Sequence, residues 1–96
     1  MKAILHPLVH SDIAEAMEFY EREGGTKLAV DFFLEVENTI SVVCKRSLSF
    51  PVSASVLRRA QLDRFPFHLL FSIEPSYIFI LVVRHDRRHP DFGLDR

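Results

Sequence analysis

The spacing of apolar residues along the chain predicts a strand followed by a helix at the N-terminal end. Lys2 to His6 reads as a short strand, which Pro7 ends because proline cannot donate to a β-ladder. Ser11 is a favoured N-cap residue and predicts a helix running to about Glu23, which the pair Gly24-Gly25 ends. The apolar positions that recur at helical spacing in this segment are Ile13, Ala16, Met17 and Tyr20.

A second, longer helix is predicted from Thr26, as its cap, to about Arg46. Its expected buried stripe consists of Ala29, Phe33, Val36, Ile40, Val43 and Cys44. Because only Gly24-Gly25 separates the two helices, they should form an antiparallel hairpin. Cys44 lies in the buried stripe and is therefore interpreted as inert core. Phe50-Pro51 marks the exit from the helix, and residues 51–55 are expected to be a loop.

The second half of the chain reads as a three-stranded antiparallel meander. The expected strands are Val56 to Leu62, Phe67 to Glu74 and Tyr77 to His85, with Asp63-Arg64 and Pro75-Ser76 as the connections. A tight turn at Pro75-Ser76 would pair Ile73 with Ile78, Phe71 with Ile80 and Leu69 with Val82. The predicted fold is therefore a single α+β domain over residues 1–96, in which the meander packs on the helix hairpin and Arg84 ends the face towards the helices.

The sheet face away from the helices is expected to be unusually apolar. Its members would be His68, Leu70, Tyr77, Phe79, Leu81, Val83 and His85. A strand that is apolar on both sides is normally covered twice, and two helices can cover only one face. We expect another chain to cover this outer face, in preference to the chain's own loops.

Composition and charge narrow the class of protein. Hydrophobic residues make up 48% and charged residues 26% of the 96 residues, which excludes a disordered or low-complexity chain. No apolar run reaches membrane-spanning length, no signal-peptide core follows Met1, and the single cysteine suits a reducing compartment, so a cytoplasmic location is expected. Eight of the 13 acidic residues precede residue 45, whereas nine of the 12 basic residues follow residue 44. This arginine-weighted second half favours an anionic partner, although pairing of opposite charges across the fold is equally open.

Four segments, taken in order, resemble the RelE/ParE superfamily of bacterial type II toxins, also called plasmid stabilization proteins. These segments are Asp12–Ala16 with Phe19–Glu21, Phe33–Glu37, Arg58–Phe67 and Ile80–Pro90, and the similarity extends over essentially the whole chain. The resemblance implies a toxin that is neutralised by a cognate antitoxin, with no cofactor. The complex would be a toxin–antitoxin hetero-oligomer, and a homodimer of the free chain is also open.

Two mechanisms are known within this superfamily, and the resemblance leaves both open. RelE-like members cleave mRNA on the ribosome without a metal, and ParE-like members cause growth arrest through DNA gyrase. If the chain is a ribonuclease, the candidate catalytic residues are Arg59, Arg84, His85 and Arg87. Phe92 stands where RelE-like enzymes carry a catalytic tyrosine, and residues 49–55 contain no Lys or Arg, so the ParE-like alternative is slightly favoured. The third hypothesis is that the chain is a degenerate, non-toxic member of the superfamily.

The same residues allow structural interpretations. In the predicted register Arg59 opposes His68, close to Val83 and His85, and the cluster of Arg59, His68 and His85 would bind a phosphate. Alternatively, Arg59 pairs with an acidic side chain, and the histidines are ordinary sheet residues. Residues expected to bind the antitoxin or target are His68, Leu70, Tyr77, Phe79, Leu81, Val83, Arg88 and Phe92. His85 and His89 have a metal-ligand spacing, but Pro90 follows directly and the segment is a strand end, so no metal site is predicted.

Overall fold

The computed structural model describes all residues from Met1 to Arg96 and contains two helices and five strands. In chain order, the elements are β1 (Lys2–Leu5), α1 (Val9–Gly24), α2 (Thr26–Arg46), a short 3-10 turn (Ser47–Ser49), β2 (Val52–Ala54), β3 (Leu57–Gln61), β4 (Phe67–Ile73) and β5 (Tyr77–His85). The α+β class, the helix hairpin and the three long segments of the meander are as predicted. The segment expected to be a loop at residues 51–55 contains the additional strand β2, which pairs with β3.

The strands form one mixed sheet in the order β1-β5-β4-β3-β2. The meander is antiparallel throughout, and β1 adds to its β5 edge in the parallel direction, with Leu5 opposite Ile80. Strand β5 is thus an interior strand, between β1 and β4.

Helix α1 begins two residues before the predicted Ser11 cap. The backbone N–H of Val9 donates to the His6 carbonyl (2.9 Å), and the N–H of Leu8 donates to Nδ1 of the His6 side chain (3.1 Å). His6, which follows β1, therefore supplies the acceptors that a cap residue would otherwise provide, and Ser11 lies exposed within the helix. At the other end Gly25, with φ of 90°, makes the sharp turn into α2.

The core lies between the helix pair and one face of the sheet. Ile13 and Ala16 of α1 are buried as predicted, but on α2 the buried phenylalanine is Phe32, whereas Phe33 is 36% exposed. The Phe32 ring lies 5.4 Å from Tyr20, 5.2 Å from Phe65 and 4.9 Å from Phe67, measured between ring centroids. This aromatic cluster decides the rotational setting of α2. Glu35 on the same helix accepts the backbone N–H groups of Asp63 and Arg64, which fixes the β3–β4 turn to α2.

A bulge in β5 changes which residues face the core. Ile73 pairs with Ile78 and Phe71 with Ile80 as predicted, but Leu70 pairs with Val82, so Leu81 is the extra residue. Leu69 consequently opposes Val83 instead of the predicted Val82. From this point the strand's alternation is reversed. Val83 joins the core against the helices, and Val82 joins Leu70 and Leu81 in a separate small cluster on the outer face.

Candidate functional site

Five polar side chains converge on the outer face where β3 and β5 end and β4 begins. Their centre is Asp86, whose Oδ1 lies 2.8 Å from Nδ1 of His68 and 3.3 Å from an Nη of Arg59. Gln61 donates to the other oxygen of Asp86 at 2.8 Å. Arg84 donates from Nε to Nε2 of His68 at 2.9 Å. We call Arg59, Gln61, His68, Arg84 and Asp86 the polar network.

The hydrogen bonds of the polar network define the state of His68. Because Nε2 accepts from Arg84, the proton lies on Nδ1 and is donated to Asp86. His68 is only 1% exposed, and this burial lowers the pKa of its imidazole below the usual value despite the neighbouring Asp86. Burial acts to raise the pKa of Asp86, but hydrogen bonds from His68 and Gln61 hold it below its ordinary value. The network thus contains a neutral histidine and an ionised carboxylate at neutral pH.

Arg84 connects the polar network to the residues that follow β5. Its Nη1 donates to the carbonyl oxygens of Pro90 (2.6 Å) and Phe92 (3.0 Å). Residues 86–96, which we call the C-terminal strap, are thereby held against the outer face of the sheet. Phe92 packs on the small cluster of Leu70, Leu81 and Val82, of which Leu81 is the most exposed at 8%.

The expectation that another chain covers the outer face is therefore wrong for its centre. The chain's own C-terminal strap does so. The sequence of the strap is polar and does not indicate this role. Arg84 holds the strap through hydrogen bonds to its backbone carbonyls, and such bonds leave no apolar pattern in the sequence.

The four candidate catalytic residues do not form one cluster. Arg59 and Arg84 belong to the polar network on the outer face, and Arg84 does not end the core face as predicted because the β5 bulge reverses its direction. The same reversal places His85 on the helix side, where its ring lies 5.1 Å from that of Phe67. Arg87 is exposed in the turn after β5. Arg59 opposes Leu70, not His68, and it pairs with a carboxylate, that of Asp86.

The residues expected to bind a partner divide into buried and accessible groups. His68, Leu70 and Val83 are at most 2% exposed, and Leu81 is nearly as buried. The remaining four, which are accessible or partly so, are Tyr77, Phe79, Arg88 and Phe92. A partner that meets the chain in this conformation can therefore touch only the second group directly.

Arg88 and Phe92 line a cleft between α1 and the end of β5, which we call the α1–β5 cleft. Its volume is about 180 Å³, and it is lined by Asp12, Glu15, Ala16, Phe19, Phe67, Val83, Arg84, His85, Arg88 and Phe92. The α1 side of this cleft was not anticipated from the sequence. Glu15 and Phe19 lie four residues apart and so share one helix face, which is the signal that could have identified them. Asp86 was missed too, although it is the one acidic residue within the run His85–His89.

Neither α1 nor α2 is both long enough and apolar enough to cross a membrane. No protein-family model matches this chain, and no curated protein matches it by sequence. Among solved structures, it is similar to a chain described as "Chromosomal ParDE TA system from P. aeruginosa", with a TM-score of 0.80 and 17% sequence identity over 88% of this chain and 95% of that one. The chain therefore has the RelE/ParE-type α+β fold that its sequence motifs predicted.

Proposed function

We propose that this chain is the toxin component of a type II toxin–antitoxin system, neutralised by a cognate antitoxin. The proposal is supported by the similarity of its fold to a chain of a ParDE TA system, together with the RelE/ParE-like segments that include Arg58–Phe67 and Ile80–Pro90. In this role the chain acts in the cytoplasm, and its active or silenced state depends on which protein it binds.

Growth arrest through DNA gyrase is favoured over cleavage of mRNA. The observation that carries this choice is the closed hydrogen bonding of His68, whose two ring nitrogens are both engaged within the chain. A general base must present a free acceptor to the proton that it removes. His68 presents none, and His85 lies on the other side of the sheet from Arg59.

The direct experiment is induced expression of the chain in a bacterial host, followed by two molecular readouts. If the proposal is correct, colony formation falls on induction, and purified gyrase incubated with the chain and supercoiled plasmid accumulates cleaved DNA. Primer extension on cellular mRNA then shows no new 5′ ends. Co-expression of the short acidic-tailed protein expected from a neighbouring reading frame restores growth.

The alternatives give different results in the same experiment. Ribosome-dependent mRNA cleavage that is lost in Arg84→Ala and His85→Ala variants would support the ribonuclease reading with Arg59, Arg84, His85 and Arg87 as its residues. Circular dichroism must show that those variants are folded, because Arg84 also holds the C-terminal strap. Growth that continues normally on induction would identify a non-toxic member.

A further inference from the structure

The largest cavity of the chain lies at the corner of the sheet where β2 turns into β3 and β4 ends. Its volume is about 440 Å³, and we call its lining residues the β2 corner: Val52, Val56, Arg58, Ser72, Ile73 and Glu74. The helices contact the sheet chiefly through β5 and β1, towards the opposite edge, so they leave this corner open. It shares no residue with the polar network or with the α1–β5 cleft.

The β2 corner exposes apolar side chains in an uncharged stretch of sequence. Val56 is 76% and Val52 58% exposed, and both are among the three most exposed large apolar residues of the chain. They flank the edge strand β2, and residues 47–57 contain no charged side chain. Soluble proteins commonly place charged residues on an edge strand to prevent association, whereas β2 is protected only by its shortness and irregular pairing. Such an exposed apolar patch indicates contact with another molecule.

The two charged residues of the β2 corner have no ionic partner within the chain. Arg58 donates from Nη1 to the Phe50 carbonyl (2.6 Å), and Glu74 accepts a hydrogen bond from the Ser72 hydroxyl (2.8 Å). Neither of them forms an ion pair, although both line the same cavity. The corner therefore presents one unpaired cation and one unpaired anion beside exposed apolar side chains.

A surface of this composition is complementary to a second copy of itself. Around a two-fold axis, each residue meets a different residue of the other copy, and the contact is repeated in the opposite sense. Arg58 of each copy can then meet Glu74 of the other, while the uncharged segment 47–57 brings no like charges together near the axis. A nucleic acid would find a single arginine here and be repelled by Glu74, and its affinity depends on many phosphate contacts.

We propose that the β2 corner is the interface of a two-fold symmetric homodimer of this chain, in which Arg58 of each copy pairs with Glu74 of the other. Val56 of each copy packs in the cavity of the other, against Val52 and Ile73. The proposal goes beyond the proposed function and does not depend on it, because the interface contains none of the candidate catalytic or antitoxin-binding residues. Since the corner is small, the dimer belongs to the weaker class of specific complexes.

The test is sedimentation velocity of the full chain between micromolar and near-millimolar concentration. The parent chain should show a reversible monomer–dimer equilibrium that weakens as salt is raised, because salt screens the two ion pairs. Arg58→Glu brings two carboxylates together at each contact, and Glu74→Arg brings two guanidinium groups together. Each variant alone should therefore raise the dimer dissociation constant at least about tenfold.

Mixing the two charge-reversal variants in equal amounts distinguishes a two-fold interface from other modes of association. In the mixed dimer, both contacts again join opposite charges, so a heterodimer should form with a dissociation constant close to that of the parent. Val56→Lys should also dissociate the parent dimer. Leu34→Lys, which alters an apolar residue of α2 that is 53% exposed, is the matched control and should leave the dimer intact. Circular dichroism checks that every variant is folded.

The assignment is overturned if the parent is monomeric at all these concentrations, if neither charge reversal weakens the dimer, or if the mixed, folded variants stay monomeric. A dimer that dissociates with Leu34→Lys but not with Val56→Lys would place the interface on the helices and overturn it as well. Sedimentation does not measure toxicity, so a failure here leaves the growth and gyrase assays standing, and a non-toxic chain can still dimerise.

Discussion

Asp12 and Arg96 form a two-pronged ion pair between the first helix and the C-terminal strap, with both N–H···O distances at 2.7 Å. Their side chains are only 6% and 7% exposed. Arg96 also donates to the Leu81 carbonyl, and Asp12 accepts the backbone N–H of Val83. One pair thus joins α1, the strap and the bulged segment of β5, and it holds the end of the C-terminal strap against the sheet.

Removing one member of this pair should be costly, because the other charge would remain buried without a partner. Asp12→Asn keeps the shape of the side chain but leaves the Arg96 guanidinium uncompensated, and we expect a loss of about 3–5 kcal/mol in the free energy of unfolding. Urea unfolding followed by circular dichroism measures this loss. Glu18→Gln, which neutralises an exposed carboxylate on the same helix, should change stability by less than about 0.5 kcal/mol. Similar losses in the two variants would contradict a special role for the pair.

The strap also depends on a close approach at Gly93. A Cβ added there would lie 2.7 Å from Cγ2 of Val82, and the residue has a φ of +83°. Gly93→Ala should therefore lift the strap and expose the small cluster of Leu70, Leu81 and Val82. The expected signs are faster amide exchange in Arg84 and Leu94 and increased binding of a hydrophobic dye.

Gly25→Ala is a matched control for the backbone contribution at Gly93. Gly25 has a φ of +90°, but an added Cβ would have no neighbour within 4 Å. Its substitution should cost only the backbone strain of about 1–3 kcal/mol, and Gly93→Ala should cost more than Gly25→Ala does. If Gly25→Ala destabilises the chain as much as Gly93→Ala does, contact with Val82 is not what fixes the strap.

The setting of α2 gives a prediction that separates two adjacent phenylalanines. Phe32 is fully buried in the aromatic cluster, so Phe32→Ala should lower the free energy of unfolding by about 3–5 kcal/mol. Phe33 is 36% exposed and its substitution by Ala should cost about 1 kcal/mol or less. Thermal or urea unfolding of the two variants provides the comparison. The reverse order of losses would mean that α2 is rotated to the setting that sequence periodicity predicted.

That periodicity could not distinguish Phe32 from Phe33, because both fit a helical stripe with Val36. The choice between them depends on Tyr20, Phe65 and Phe67, which come from three other parts of the chain. The local pattern of apolar residues predicts that the helix exists and where it begins and ends. Its exact rotation is a tertiary property.

The β5 bulge could not be predicted from the sequence, for a different reason. Tyr77 to Val83 is apolar almost throughout, so it lacks the alternation that would reveal on which side each residue lies. The pairs nearest the turn, Ile73 with Ile78 and Phe71 with Ile80, follow from turn geometry and were predicted correctly. Beyond Leu81 the predicted faces were wrong, because this single extra residue exchanges the faces on which Arg84 and His85 lie.

Protonation of His68 should make the stability of the chain depend on pH. Its native pKa is lowered, mainly by burial and further by the positive charges of Arg59 and Arg84, with Asp86 acting in the opposite direction. An unfolded histidine titrates near about 6.5. As the pH falls below that value, the unfolded state binds a proton that the native state does not, so the free energy of unfolding decreases. The decrease continues until the native pKa is reached and amounts to at most about 1.4 kcal/mol per pH unit.

The variant that isolates this effect is His68→Gln, whose amide can accept from Arg84 and donate to Asp86 without titrating. Urea midpoints measured between about pH 5 and 8 should fall less steeply on acidification in this variant than in the parent chain. His10→Gln, which removes an exposed histidine from α1, serves as the control and should retain the parent's slope. The titration of Asp86, whose native pKa is lowered from 3.8, falls in a separate and more acidic window. A parent and a His68→Gln variant with the same slope above pH 5 would show that His68 binds its proton equally in the folded and unfolded chain, and the polar network would then not hold it neutral.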